Sequence, residues 1–295
     1  MTARGIDHLV LCVHDLEAAQ QAYRSFGFTT TPKAVHPFGT ANSLIQLQNN
    51  FLELLIVDDA GKIPPMARGK YSFAAAAQSY LTARQGMSAL VFESGDARAD
   101  HDEFVGKGLE TYDPVDFSRL ATLPNGSEVE VSFSLAFLTE RQMPGTTFFV
   151  CQQHAPEHFW KPQYQRHDNG AVDVVEVVMF APKPHALADF FAKLHGAENV
   201  AKEDGRLTVD TGRGVISVLD PTLSAERLDV PASFNIVETP HFAGYRVAVA
   251  DLAAVEDGLT KNGVPFRPAD RMLQIGPADA LGVFIEFTEG PAPAD

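Results

Sequence analysis

Glu53 is the residue whose setting points most directly to chemistry. It interrupts an otherwise apolar, strand-like run, Phe51–Ile56 (FLELLI). A carboxylate buried in such a strand is costly unless a cation accompanies it. If the cation is a lysine or an arginine, Glu53 is structural, and if it is a metal ion, Glu53 is a ligand. Both interpretations stay open at this point.

Two histidines and an asparagine near the amino terminus are further candidates. His8 lies in the apolar run Ile6–Val13, and imidazole is a common ligand of zinc, iron, nickel and manganese, although such a histidine can also contact a substrate or simply pack. His36 precedes Pro37, so a core position is not expected. A loop histidine with a pKa near neutrality could act as acid or base, the alternative being an exposed residue without a role. Asn42 could bond a substrate carbonyl or cap a turn.

A third group of candidates ends a later strand-like run, Phe148–His154. Gln152 and His154 are two residues apart, so a strand would place them on one face. His154 is either a ligand or a surface histidine at the strand end. Trp160 follows in a polar stretch, where it could cover a site or pack at a domain junction.

A repeated element must position these residues. The run Ile6–Val13 is followed by a helical period that begins at a capping aspartate and ends at a glycine. Three further copies follow, and in each the helix start and the stop glycine are twelve residues apart. In chain order the pairs are Asp15 and Gly27, Asp96 and Gly108, Pro184 and Gly196, and Asp251 and Gly263.

Strand-like segments follow every stop glycine. They are predicted at 28–31, 41–47 and 51–57, then at 119–123, 128–137 and 148–153, then at 206–210 and 215–219, and finally at 272–275 and 283–288. A module of one strand, one helix and two or three further strands has too little core to fold alone, so modules must pair. Pairing in chain order predicts two domains, residues 1–168 and 169–295, with a linking helix over 73–84 inside the first.

The first sixty residues resemble a known family. The opening Ile6–Leu11 (IDHLVL), the helix stop Phe26–Phe28 (FGF) and the strand Phe51–Leu54 (FLEL) resemble a glyoxalase-like module of the vicinal-oxygen-chelate superfamily, the glyoxalase, bleomycin-resistance and extradiol-dioxygenase fold. The stretch His36–Asn42 (HPFGTAN) is similar to one glyoxalase-like branch. The resemblance implies an α+β fold in which four βαβββ modules pair into two cup-shaped mixed-sheet domains.

The resemblance also implies a divalent metal, held by the first and last strands of each module. His8 lies where the family carries its first ligand, and Glu53 lies on a last strand. Aligning Asp15 with Asp96 places His8 over Ala89, so the second module offers no first-strand ligand, and His154 is taken as the third. These three would form a two-histidine, one-carboxylate site suited to iron, zinc, manganese or nickel.

Modules three and four lack this ligand pattern. His8 maps onto Val177 and Gly244, neither of which binds metal. Glu286 has a context like that of Glu53 but cannot hold a metal alone, and Glu176, which neighbours the mapped position, could share its site. The second domain is therefore predicted to be degenerate and structural.

Composition narrows the partners. The net charge of −15 opposes binding to nucleic acid and to anionic lipid. No apolar run approaches the roughly 18 residues of a membrane span, and the amino terminus lacks an export signal, so a cytoplasmic location is expected. The two cysteines exclude a disulfide framework. The expected partner is a small-molecule substrate, and a homodimer is compatible with four modules but not required.

Two functions follow from these features. The leading hypothesis is a metal-dependent glyoxalase-like enzyme, a lyase, isomerase or ring-cleaving dioxygenase acting on vicinal oxygens. His8, Glu53 and His154 would hold the metal, His36 and Glu53 would move protons, and the substrate would contact Asn42, Gln152 and Trp160. The alternative is a metal-free protein that sequesters a small molecule in the same cup. Ala89 favours this alternative, whereas Glu53 favours the enzyme.

Overall fold

The computed structural model describes residues 4–122, 128–229 and 237–290. Two mixed sheets form the protein. The strands of the first are β1 Ile6–Cys12, β2 Ala34–Val35, β3 Thr40–Gln46, β4 Phe51–Val57, β5 Gly86–Glu93, β6 Glu110–Thr111, β7 Val115–Thr122, β8 Glu128–Thr139 and β9 Thr147–Gln153. The helices of this half are α1 Leu16–Ser25, α2 Phe73–Ala83, α3 Ala97–Gly106 and α4 Pro156–Phe159.

The second sheet repeats the plan. Its strands are β10 Ala171–Phe180, β11 Val200–Glu203, β12 Arg206–Asp210, β13 Val215–Leu219, β14 His241–Val249, β15 Arg267–Ala269, β16 Met272–Ile275 and β17 Phe284–Glu289. Its helices are α5 Ala188–His195, α6 Pro221–Leu228 and α7 Leu252–Lys261. Short 3-10 helices cover Ala60–Lys62, Pro162–Tyr164, Pro184–Leu187 and Ala197–Asn199.

Strand order shows how the modules pair. The first sheet runs β2-β3-β4-β1-β5-β9-β8-β6, with β7 paired to β8, and the second runs β11-β12-β13-β10-β14-β17-β16-β15. In each, the first strands of two consecutive modules lie antiparallel at the centre, β1 on β5 and β10 on β14. The predicted α+β fold of four modules in two cup-shaped sheets is confirmed. The boundary between 168 and 169 stays a prediction.

The helix starts and stops follow the repeat. Asp15, Asp96 and Asp251 each accept a hydrogen bond from a backbone amide of the first turn. The stop glycine Gly27 has φ +88°, in the region that glycine occupies without strain. A Cβ at this position would lie 2.7 Å from the Cβ of Asn169, so both conformation and space require glycine.

One predicted strand is absent. Residues 28–31 do not join the sheet, because their amides have partners elsewhere: Thr29 donates to Nδ1 of His167, and Thr31 to the carbonyl of Leu44. The short strand β2 lies three residues further along and pairs with β3.

The two sheets share one hydrophobic core. Residues of α1, α3, α5 and α7 lie in the same buried cluster as strand residues of both sheets. Within it the hydroxyl groups of Tyr23 and Tyr245 are 2.9 Å apart, and the rings of Phe148 and Phe190 are 5.1 Å apart. The inner faces of the two sheets carry separate clusters. No helix in the described ranges is long and apolar enough to cross a membrane.

Candidate active site

The inner face of the first sheet forms a narrow aromatic cup of about 50 Å³. Strand alternation builds it, because residues two apart share a face: Val10 and Cys12 point inward, and Leu9 and Leu11 point to the shared core. Its walls are mostly phenylalanine: Phe38, Phe51, Phe73, Phe117, Phe133, Phe149 and Phe159. Its polar residues are His8, His36, Asn42, Glu53 and Arg119.

His8 and Glu53 come together on neighbouring parallel strands. On β1 and β4 the residue opposite His8 is Phe51, two positions before Glu53. The ring of His8 stacks on Phe51 at 4.3 Å between centroids. Its Nε2 lies 3.8 Å from Oε2 of Glu53, and the two residues are only 5% and 6% exposed. The sequence therefore identified a pair that meets inside the cup.

Asp7 fixes the orientation of His8. Nδ1 of His8 lies 2.5 Å from Oδ2 of Asp7, and Gln153 donates to the other oxygen at 3.1 Å. A carboxylate beside Nδ1 assigns the proton to that nitrogen. Nε2 is then unprotonated, and its lone pair is free to bind a metal or accept a proton on the side of Glu53. Metal-binding histidines are commonly held in this way, as are histidines in acid–base pairs.

Asn42 links Glu53 to His36. Its Nδ2 donates to Oε1 of Glu53 at 2.6 Å and lies 3.2 Å from Nε2 of His36. Nδ1 of His36 lies 2.8 Å from Oγ1 of Thr40, and Nε2 lies 3.9 Å from Oε1 of Glu53. The side-chain oxygen of Asn42, Oδ1, is buried without a partner among the described residues. An orphaned acceptor beside a carboxylate is open to a ligand atom.

The prediction that His36 is not a core residue is wrong. The side chain is 5% exposed and stacks on Phe38, with ring centroids 5.1 Å apart. Burial lowers its pKa to about 4, although Glu53 opposes the shift. His36 is therefore neutral at pH 7, with Nε2 facing the Asn42 amide.

Gln152 and His154 are not brought together with His8 and Glu53. On β9 it is Phe149 and Cys151 that face the cup. The amide of Gln152 instead accepts from the backbone of Ala97 and donates to that of Gly95, at the start of α3. His154 follows the strand end, where Nε2 lies 2.8 Å from Oγ of Ser134. The residues chosen from the sequence, Gln152 and His154, therefore lie on the face of β9 that points away from the cup.

Trp160 lies behind the cup wall. Its ring packs edge-on against Phe51 and Phe159, at 5.8 and 5.3 Å between centroids. It lines a separate surface cavity with Asp7 and Gln153. The substrate contact predicted for Trp160 therefore has no direct route into the cup.

Arg119 is a site residue that the sequence did not single out. It lies on β7, whose alternation turns Phe117 and Arg119 inward. Burial lowers its pKa, and the negative charge of Glu53 counteracts this. Arg119 makes no hydrogen bond or ion pair with the residues the structure describes. The signal that could have found it is the alternation of apolar Val115 and Phe117 with outward polar residues.

The donor atoms of the cup decide whether a divalent metal fits there. In the described ranges, no group of three or more His, Cys, Asp and Glu side chains is arranged to hold one. His8 and Glu53 supply one nitrogen and one carboxylate, and the unpartnered Oδ1 of Asn42 adds a neutral oxygen beside them. This mixed set fits the chemistry of a borderline divalent ion with open positions, but with fewer charged ligands than the predicted triad.

In the second cup the buried glutamates are paired with arginines. Glu286 occupies β17, as Glu53 occupies β4, and its carboxylate is paired with Arg227 at 2.6 Å and Arg246 at 3.1 Å. Glu176 bonds the same two arginines at 2.9 and 3.0 Å. Arg227 belongs to α6, from which Leu223 and Leu228 also cover the inner face. Two carboxylates and two guanidinium groups neutralise one another there.

Comparison with solved structures shows the same architecture. A hypothetical protein from Staphylococcus aureus is 13% identical, with a TM-score of 0.70, over 97% of this chain and 99% of that one. A mutant of 4-hydroxymandelate synthase from Streptomyces coelicolor is 13% identical, with a TM-score of 0.58, over 100% and 95%. A xylose isomerase-like TIM barrel/4-hydroxyphenylpyruvate dioxygenase fusion protein is 12% identical, with a TM-score of 0.57, over 100% and 50%.

The family assignment comes from the sequence itself. No curated protein matches the chain at a significant level. The model of a family described as a glyoxalase-like domain matches residues 6–195, from β1 to the end of α5. That span is more than half of the chain and includes His8, Asn42 and Glu53. The chain therefore belongs to the glyoxalase-like domain family.

Proposed function

We propose that this protein is a metal-dependent glyoxalase-like enzyme that acts on a small substrate with neighbouring oxygen atoms in the cup of the first sheet. One observation carries the proposal. The carboxylate of Glu53 is buried beside Nε2 of His8 without a salt-bridged lysine or arginine among the described residues, whereas its counterpart Glu286 is fully paired. The similarity in fold to proteins named as 4-hydroxymandelate synthase and 4-hydroxyphenylpyruvate dioxygenase supports oxygen chemistry.

His8 and Glu53 would hold the ion, with Oδ1 of Asn42 as a further oxygen donor. A bound divalent ion would supply a Lewis acid that stabilises negative charge developing on a substrate oxygen. Asp7 keeps Nε2 of His8 turned inward, so the donor atom does not have to be reoriented.

The remaining groups would move the proton and exclude water. Asn42 holds one oxygen of Glu53, and the other faces His8. His36 is a neutral acceptor at pH 7 because burial keeps its pKa at about 4. The phenylalanine walls lower the local dielectric constant, which strengthens every charge interaction inside the cup.

A metal-free binding protein is the second candidate. The observation that favours it is the lack, in the described part of the chain, of three charged or imidazole donors around one point. In that case Arg119 would balance the charge of Glu53, and the cup would hold a ligand without transforming it.

Metal content separates the two. Untagged protein, purified without chelator, should contain close to one divalent ion per chain when measured by inductively coupled plasma mass spectrometry. His8→Ala and Glu53→Gln should lose that ion. His154→Ala is the matched control, because that imidazole bonds Ser134 outside the cup and should leave the metal content unchanged.

The opposite result is equally informative. If the wild type carries no metal and gains none on dialysis against iron, zinc, manganese or nickel, the metal-dependent proposal fails. Full metal content in His8→Ala would likewise refute the assignment of the ligands.

A further inference from the structure

A second, wider cavity borders the aromatic cup. Its volume is about 690 Å³, within the roughly 300–1,000 Å³ range of small-molecule sites. We call it the outer cavity. It shares five lining residues with the cup: His36, Asn42, Leu44, Arg119 and Phe159. The two spaces are therefore parts of one site, a wide outer part and a narrow inner part.

The outer cavity is cationic in an acidic protein. Four basic side chains line it, Lys33, Lys62, Arg119 and Lys161, and its described lining contains no aspartate or glutamate. The whole chain, by contrast, has a net charge of −15. The overall negative charge repels anions, so the local concentration of cations in the outer cavity makes it a favourable place for an anion to bind.

The four cations are not equivalent. Lys33 pairs with Asp58, and Lys62 pairs with Asp59 at 3.2 Å. Both lysines therefore have an acidic partner that does not line the cavity. Arg119 has no such partner in the described chain, although it lies where the outer cavity meets the cup.

Arg119 and Lys161 line the same cavity, so their like charges oppose each other. The pKa of Lys161 is lowered by burial and by the charge of Arg119. An anion bound at Arg119 would relieve that repulsion. It would also give the planar guanidinium group the two-oxygen partner that its geometry suits.

The volumes define which part of a ligand goes where. The cup, at about 50 Å³, admits a few heavy atoms, whereas the outer cavity admits a whole small molecule. An anion in the outer cavity can pair with Arg119, whereas an anion beside Glu53 meets a carboxylate whose charge only a bound metal would offset. We therefore place the charged end at Arg119 and the neutral end inward.

We propose that the substrate is a small organic anion whose carboxylate or phosphonate-type group binds Arg119 in the outer cavity, while its neutral, oxygen-bearing end enters the cup toward His8 and Glu53. This inference rests on the function proposed above, because it assigns the substrate class of the same site. Arg119 is thereby a binding residue that sets specificity, and its role does not require the metal.

Binding of three matched probes tests the inference. Benzoate and phenylphosphonate carry the two kinds of anion, and benzamide is the neutral counterpart of benzoate. Isothermal titration calorimetry on the full chain should show binding of at least one anion and binding of benzamide that is at least tenfold weaker. Preference between the two anions identifies the head group.

Variants locate the anion. Arg119→Gln should weaken anion binding by about 10- to 100-fold, the range for losing a charged hydrogen-bonding partner. Arg119→Lys should retain part of the affinity, since lysine keeps the positive charge but lacks the two parallel N–H donors of the guanidinium group. Arg98→Gln is the control, because Arg98 is an exposed arginine paired with Asp116 outside the outer cavity.

Three results would overturn the inference: benzamide binding as tightly as benzoate, unchanged anion affinity in Arg119→Gln that is folded by circular dichroism, or no binding of either anion at millimolar concentration. Repeating the titration on chelator-treated protein separates this inference from the metal proposal. Anion binding that persists after chelation supports the substrate class whatever the outcome of the metal-content measurement, which alone decides the metal proposal.

Discussion

Two glutamates in equivalent strands show how local pairing decides the role of a residue. Glu53 is held by one amide at 2.6 Å, whereas Glu286 bonds two arginines and the amide of Gln274. Removing one member of a buried charge network leaves its partners uncompensated, whereas removing a charge without a salt-bridged partner does not.

Glu286→Gln is therefore expected to lower the free energy of unfolding by about 3 kcal/mol or more. Glu53→Gln should change it by less than about 1 kcal/mol, because Asn42 keeps an acceptor. Urea titrations of both variants, in chelator-treated protein, compare them directly. Equal destabilisation by the two variants would show that Glu53 is also part of a structural ion pair.

His195 predicts a dependence of stability on pH. It is 3% exposed, both ring nitrogens lack partners in the described chain, and its ring lies edge-on to Phe92 at 4.6 Å. Burial, with Arg4 and Lys107 adding to it, lowers its pKa from 6.5 to about 3. As the pH falls through this interval the unfolded chain takes up the proton first, so stability declines by up to about 1.4 kcal/mol per pH unit from this group.

His195→Leu should remove that contribution. The slope of the unfolding free energy against pH, measured by urea titration between pH 4 and 6.5, should become flatter than in the wild type. His14→Gln, a change at an exposed histidine, serves as the control. An unchanged slope in His195→Leu would assign the pH dependence to other groups.

At this scale the sequence predicted part of the site. His8 and Glu53 stand out because each is a polar residue inside an apolar strand. Gln152 and His154 were misplaced because alternation shows which residues share a face but not which face is the inner one. Arg119 was missed because its strand carries no motif, and its importance comes from the cavity that two modules form together.

Among the elements, helix boundaries were the most predictable. The capping aspartates and stop glycines lie where the repeat puts them. Each meets a requirement of the helix end itself, because the aspartate accepts a hydrogen bond from a first-turn amide and the glycine adopts a positive φ. Strands β4, β12, β13 and β16 match the predicted ranges residue for residue. Residues 28–31 have strand-like composition, but hydrogen bonds to His167 and Leu44, distant in sequence, determine their path.

Gly27 tests the repeat energetically. Gly27→Ala should lower the free energy of unfolding by about 2 kcal/mol or more, because φ is +88° and the added Cβ would meet Asn169. Gly106→Ala is the matched control, since that glycine ends α3 in open space, and alanine there should stabilise by about 0.5–1 kcal/mol. Thermal denaturation of both variants checks the opposite signs, and a harmless Gly27→Ala would contradict the requirement for a left-handed stop.

On the scale of the whole molecule, the shared core makes the second sheet a support for the first. Helices from all four modules meet in one buried cluster. The second cup is filled by α6 and its ion pairs, so the structure leaves the candidate site to the first pair of modules. The sequence predicted the four modules, but not this joint core, because contacts between helix faces of distant modules leave no local pattern.

A shared core predicts that the two sheets unfold together. Phe148 is fully buried and its ring lies 5.1 and 5.4 Å from those of Phe190 and Phe242, which belong to the other half. Phe148→Ala should cost about 3–5 kcal/mol, and because the cavity it leaves lies between the sheets, both should lose stability in one transition. The single tryptophan, Trp160, packs on the first cup and reports on that half by fluorescence, whereas far-ultraviolet circular dichroism reports on both. The two signals should give coincident urea transitions in the wild type and in Phe148→Ala. If the fluorescence transition of the variant precedes its dichroism transition, the two halves are stable independently and the common core is only a contact surface between them.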